Sequence, residues 1–153
     1  SVRTFKERYW GRHGSVRKFL ILATLLAASA AAIVAQTIED SSRRTIGYIS
    51  SSGTVEDSGR RTLGYINSNG SIEDSSRRTL GYINDKGTVE NSSRRTLGYI
   101  NSNGTVENSS RSTLGYVNSN GIVEDSSRRT LGYATNVDER YAALFFFFFF
   151  RGQ

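Results

Sequence analysis

Two arginines recur side by side along this chain, as Arg43 and Arg44, Arg60 and Arg61, Arg77 and Arg78, Arg94 and Arg95, and Arg128 and Arg129. A tyrosine recurs in step with them, as Tyr48, Tyr65, Tyr82, Tyr99, Tyr116 and Tyr133. Paired guanidinium groups arranged in a ring have the donor geometry to hold phosphate or sulfate. A matching series of phenol rings could stack sugars. Each repeat also carries a Glu followed by Asp or Asn, so the competing expectation is a neutralising network between neighbours, with the tyrosines used for packing.

Catalytic chemistry has less to work with. His13 is the single histidine, it lies near the N-terminus, and there is no cysteine. The common nucleophile–base pairs and the usual zinc sites therefore cannot be assembled from the repeats. Glu56 and Asp57, or their equivalents, could form a carboxylate pair for glycoside hydrolysis. Identical carboxylates in every unit suit a repeated structural role better. The Asn-Ser-Asn-Gly stretches share a fragment of a calcium loop but lack the downstream bidentate Glu, and turn formation accounts for them. The expectation is a protein with no enzyme activity, no metal and no cofactor.

The elements that position these residues are read from the period. Units at 37–53, 54–70, 71–87, 88–104, 105–121 and 122–138 each approximate Thr-Val-Glu-Asp-Ser-Ser-Arg-Arg-Thr-Leu-Gly-Tyr-Ile-Asn-Ser-Asn-Gly. A fixed period of this kind marks a repeat architecture. The departures are Gly59, Asn91, Asn108, Ser112, the Asp85-Lys86 loop, and residues 134–138, which replace the last loop. Thr62 to Ile66 has strand chemistry, Asn67 to Gly70 supplies a turn, and Ser71 to Glu73 begins a second strand. A loop of Ser68-Asn69-Gly70, with Gly70 left-handed, places Ile66 opposite Ile72. A two-residue Asn-Gly loop would pair Asn67 with Ile72 and is the less favoured register. Asp57 to Arg60 turns the chain back, and Gly59 suggests a positive φ there. Alternation puts Leu63 and Tyr65 on one face and Gly64 and Ile66 on the other. The aliphatic series Ile46, Leu63, Leu80, Leu97, Leu114 and Leu131 is expected to form a ring or ladder, and the repeated glycines at 47, 64, 81, 98, 115 and 132 let backbones approach.

Single hairpins are not stable alone in water, so these must stack or encircle a core. Five loops end at Gly53, Gly70, Gly87, Gly104 and Gly121, and the half-units left at each end could pair and close a ring. The expected fold is all-β, a closed or near-closed array of five β-hairpins with pseudo-five-fold symmetry, and the competing one is an open β-solenoid or fibril-forming array. The Gly-Tyr-Ile-x-Ser-x-Gly-Thr-Val-Glu-Asp-Ser-Ser-Arg-Arg-Thr units and the five-loop count resemble the five-fold β-flower proteins, secreted bacterial repeat proteins. The likeness covers residues 37 to about 150. It implies a fold and export, without a mechanism.

After Tyr141-Ala142-Ala143-Leu144 come six phenylalanines, 145–150. The run is too short for a membrane helix, which needs roughly 20 residues. The expectation is a buried C-terminal strand threading or closing the ring. The others are insertion into a membrane or partner, and an artefact of a homopolymer tract.

At the other end, Arg17 and Lys18 precede an apolar run from Phe19 to Ala35. This reads as a signal helix over residues 16–35, cut before Gln36 or, less well, after Ala32. Residues 1–15 read as an upstream extension ahead of a start at Val16, leaving 36–153 as the repeat domain. Six basic residues against Glu7 give residues 1–35 a net charge of +5, while the remaining 14 basic and 13 acidic residues give +1. The basic pI therefore gives no reason to expect specific nucleic-acid binding. The functional expectation is an exported structural or binding protein, secreted or periplasmic, with a cell-surface or envelope component as partner. The alternatives are an envelope protein anchored by the Phe tail, with membrane contact limited to that tail or the signal segment, and a polyanion or glycan binder using the Arg or Tyr rings.

Overall fold

A computed structural model describes residues 35–152. The expected extension and signal helix fall, apart from Ala35, outside the described residues. Twelve strands follow in chain order: β1 (Thr37–Asp40), β2 (Thr45–Ile49), β3 (Thr54–Asp57), β4 (Thr62–Ile66), β5 (Ser71–Asp74), β6 (Thr79–Ile83), β7 (Thr88–Asn91), β8 (Thr96–Ile100), β9 (Thr105–Asn108), β10 (Thr113–Val117), β11 (Ile122–Asp125) and β12 (Thr130–Thr135). Each pairs with its sequence neighbours, and β12 pairs antiparallel with β1 to close a barrel. The half-units at the two ends do pair, with Ile38 opposite Ala134. That pair occupies a sixth position equivalent to the five looped hairpins, so the ring has six-fold rather than five-fold pseudo-symmetry.

Two kinds of connection share one geometry. In the first, the Asn67 N–H donates to the Ser71 carbonyl at 2.9 Å, the Gly70 N–H donates to the Asn67 carbonyl at 2.9 Å, and Gly70 sits at φ +88°. Ile66 then faces Ile72, the register that joins two apolar residues. In the second, the Asp57 N–H donates to the Arg61 carbonyl at 2.9 Å and the Arg60 N–H to the Asp57 carbonyl at 3.1 Å. The left-handed residue is Arg60, at φ +66°, and not Gly59. Gly59 is exposed, and an added Cβ there would meet only the Asp57 carboxylate, at 3.4 Å.

Between β3 and β4 the register jumps from Val55–Gly64 to Glu56–Thr62, leaving Leu63 in a bulge. Ile46, Leu80, Leu97, Leu114 and Leu131 hold the same place. The aliphatic series thus marks six bulges, packed half-buried against the edge of the core, rather than a continuous ladder. Bulges sharpen twist and bend a strand, which is what short strands need to close into a barrel.

The inner wall is lined by fully buried aliphatics such as Ile38, Ile49, Val55 and Ile72 and by the strand glycines. The C-terminal segment enters this space as helix α1 (Glu139–Leu144), continued by a π-helical stretch (Phe145–Phe149). The expected buried strand is therefore replaced by a helix. A closed barrel leaves no free edge, so a strand inside it would carry unpaired backbone groups, whereas a helix satisfies its own.

The winding of this helix loosens along its length. The Phe145 N–H donates to the Ala142 and Tyr141 carbonyls, the Phe150 N–H to the Phe145 carbonyl five residues back, and the Arg151 N–H to that same carbonyl six residues back at 3.0 Å. An α-helix turns about 100° per residue. A π-helix, bonded five residues back, turns less per residue than this, which brings successive side chains closer to the spacing of six positions around a ring. Phe145 through Phe150 accordingly lie over Gly47, Gly132, Gly115, Gly98, Gly81 and Gly64 in turn, one ring per position. Glycine is required there on two sides. A Cβ added at Gly98 would fall 2.1 Å from the Glu107 carbonyl oxygen and 3.0 Å from the Phe148 ring.

Candidate functional site

The arginine–tyrosine series forms a girdle on the outer face. Arg60, held left-handed by its turn, lays its guanidinium 3.4 Å from the centre of the Tyr48 ring, in the preceding unit, and pairs with Glu56 at 3.1 Å. The arrangement repeats at Arg77–Tyr65, Arg94–Tyr82, Arg128–Tyr116 and Arg43–Tyr133, the last across the β12–β1 seam. A non-glycine residue in the left-handed region costs about 1–2 kcal/mol. Stacking on an aromatic face and pairing with a carboxylate offset that cost.

A ring built from arginine pairs misses one member. Arg111 has Ser112 beside it in place of a second arginine, yet it stacks 3.5 Å from Tyr99 and pairs with Glu107 at 3.0 Å. The signal for it was the tyrosine period, which does not skip. The tyrosines themselves are half-buried under these guanidinium groups and are absent from the inner core.

The second arginines belong to the turns. Asp57 accepts from the N–H groups of Gly59 and Arg61 through Oδ1, while Oδ2 takes the Arg61 Nε at 2.9 Å. Arg44–Asp40, Arg78–Asp74 and Arg129–Asp125 repeat this. The Arg44 N–H, followed by Ser42 and the Arg44 side chain, holds Asp40 below its ordinary value of 3.8 against a desolvation cost that pushes the other way. Asp57, Asp74 and Asp125 are lowered in the same manner, each chiefly by the backbone N–H of its arginine. Side-chain hydrogen bonds from Asn101 and Arg111 lower Glu107, and those from Asn118 and Arg128 lower Glu124.

The repeat's departures become legible on this geometry. Asn91 keeps both backbone bonds, to Ser93 and Arg95, and gives up only the charge. Arg95 consequently makes no ion pair among the described residues. Asn108 does the same in the unit where Ser112 has replaced the arginine, so both members of that pair are gone together. Glu56 and Asp57, the candidate carboxylate pair, are each engaged with a different arginine. Among the described residues no three His, Cys, Asp or Glu side chains converge on a metal-sized site.

The opposite end of the barrel, where the chain enters as α1, is less regular. Asp138 caps the helix by accepting from the Arg140 and Tyr141 N–H groups at 2.9 and 3.2 Å. Grooves of about 670, 430 and 340 Å³ separate α1 from the surrounding loops. Sequence reading missed this region, although Asp85-Lys86, the altered loop, lies there.

A family model described as "5-fold beta-flower protein" matches residues 35–150, the whole of the barrel and its helical plug. No curated protein and no solved structure matches the chain.

Proposed function

From the premise that the chain belongs to the 5-fold beta-flower protein family, here with six positions, we propose that it is an exported, non-enzymatic structural or binding repeat protein. Its repeated loops are presented to a cell-surface or envelope partner. The observation that carries the reading is the internal satisfaction of the girdle: each left-handed arginine is stacked at 3.4–3.5 Å and paired at 3.0–3.2 Å within the protein. Groups spent in this way hold the barrel together and leave little capacity for a polyanion. Anchoring by the Phe tail is disfavoured on similar grounds, since each phenyl ring covers a glycine of the wall.

The test is fractionation of producing cells, followed by binding of the purified chain to washed envelopes in high salt. The reading expects the chain outside the cytoplasm and saturable, salt-resistant retention. Cytoplasmic retention of the chain, or envelope binding abolished by salt, overturns it.

A further inference from the structure

Near-identical units explain most of their own residues as architecture, so a specialised site is best sought where the repetition fails. Two of the failures meet at one place. Of the five Gly-ended loops, the one at 84–87 carries Asp85-Lys86, and it lies against the start of α1, directly after residues 134–138, which replace the sixth loop. Arg140 is half-buried there and reaches the carbonyls of Asn84 and Asp85 at 3.5 and 3.4 Å, long contacts that engage two of its five donors. The largest of the three grooves, about 670 Å³, opens at this point, within the size range of small-molecule sites.

From this coincidence we propose that the groove between the 84–87 loop and α1 is a single binding site for a neutral saccharide. The charges select a neutral ligand. Glu90 is paired with Arg94 at 3.2 Å and Asp138 is occupied in capping the helix, while the Arg140 guanidinium and the exposed Asp85 carboxylate, one charge of each sign, form no ion pair among the described residues. An anion would gain from Arg140 but face Asp85 and Asp138 together. An apolar ligand would strand these groups without partners.

The same groups suit adjacent hydroxyls. A carboxylate accepts and a guanidinium edge donates, and on the facing loop the amide oxygen of Asn67 and the amide nitrogen of Asn69 add one acceptor and one donor, their other amide atoms being held by Ser71. Tyr141, half-buried in the lining, supplies the aromatic surface on which the C–H side of a pyranose can pack. The groove borders one station of the arginine–tyrosine girdle, Arg94 with Tyr82 and Glu90, but its Asp85 and Arg140 occur once rather than six times, and it depends neither on export nor on repeated-loop presentation.

The experiment is isothermal titration of the full chain with maltotetraose, cellotetraose and chitotetraose, with a sulfated heparin disaccharide alongside. At least one neutral sugar is expected to bind more tightly than about 1 mM. The paired substitution Asp85→Ser with Lys86→Asn restores the Asn-Ser-Asn-Gly loop that units two, four and five already fold. It should weaken that binding at least tenfold without moving the thermal melt, and Arg140→Gln should weaken it similarly. The proposal is overturned if no neutral sugar reaches this affinity, if the sulfated disaccharide binds more tightly, or if the restored loop binds as well as the original.

Discussion

Deleting Phe148, so that the run at 145–150 keeps five of its six phenylalanines, should destabilise the barrel more than replacing it by alanine. Phe→Ala in a core costs about 3–5 kcal/mol, and the half-buried Phe148 belongs at the lower end, about 3 kcal/mol. Deletion acts elsewhere. Phe149 and Phe150 each move back one position, and the place vacated is the one over Gly64, where Phe150 is only 2% exposed. The lost burial there is worth the upper end of the range, about 5 kcal/mol. Arg151 would be drawn toward that place, adding the cost of burying an unpaired guanidinium. For a domain of this size about 1 kcal/mol corresponds to roughly 4 °C. Circular-dichroism melts should therefore show a fall of about 12 °C for Phe148→Ala and about 20 °C or more for the deletion. If the deletion variant melts at or above Phe148→Ala, the rings are not assigned one to a position and the reasoning fails.

Gly98→Ala should be strongly destabilising and should stay so when combined with Phe148→Ala, because the Glu107 carbonyl still blocks the new methyl; recovery of the melt in the double variant would contradict this. Arg94→Gly and Arg94→Ala lose the same stacking and ion pair, but only glycine relieves the left-handed backbone, so chemical denaturation should find the glycine variant more stable by about 1 kcal/mol. Asp40, Asp57, Asp74 and Asp125 titrate below 3.8 when folded, so they bind fewer protons than in the unfolded chain as the medium is acidified. The stability they contribute is intact above that value and is lost as pH falls through their lowered folded values. A pH series of melts should show this decline, and Asp74→Asn should make it shallower by lowering neutral-pH stability slightly, since an Asn keeps the backbone bonds, as Asn91 does, but not the charge.

Much of the architecture was legible in the sequence because hairpin physics is local. Ile66 and Ile72 fix their register by being the apolar residues that can face each other, and the leftover half-units announce closure. The tail was not legible, since six identical apolar residues carry no period that separates strand from helix. What decides is the closed wall around it, which offers no backbone partner. The left-handed arginines were hidden by a neighbour: Gly59 marked the right turn and the wrong residue. Arg60 takes that conformation because Tyr48 and Glu56 lie within its reach, a tertiary reason that no propensity scale contains. The groove at 84–87 was visible only as a change of two loop residues, whose meaning depends on where α1 comes to rest.

The seam between β1 and β12 also sets the order of events in folding. Every other pairing joins strands that follow one another in the chain, while the seam brings Thr37 to Thr135 across nearly the whole barrel sequence. Local hairpins form on the microsecond scale, roughly 1–10 μs each, and can zip from any starting unit. The seam must wait for all of them, and its loop-closure entropy is met by a single strand pair. During synthesis the first strand therefore remains an open edge until the last has emerged, and only then is there a ring for the six phenylalanines to fill. Closure should be the slow step, and a chain stalled before β12 would display to its neighbours the edge that the finished barrel conceals.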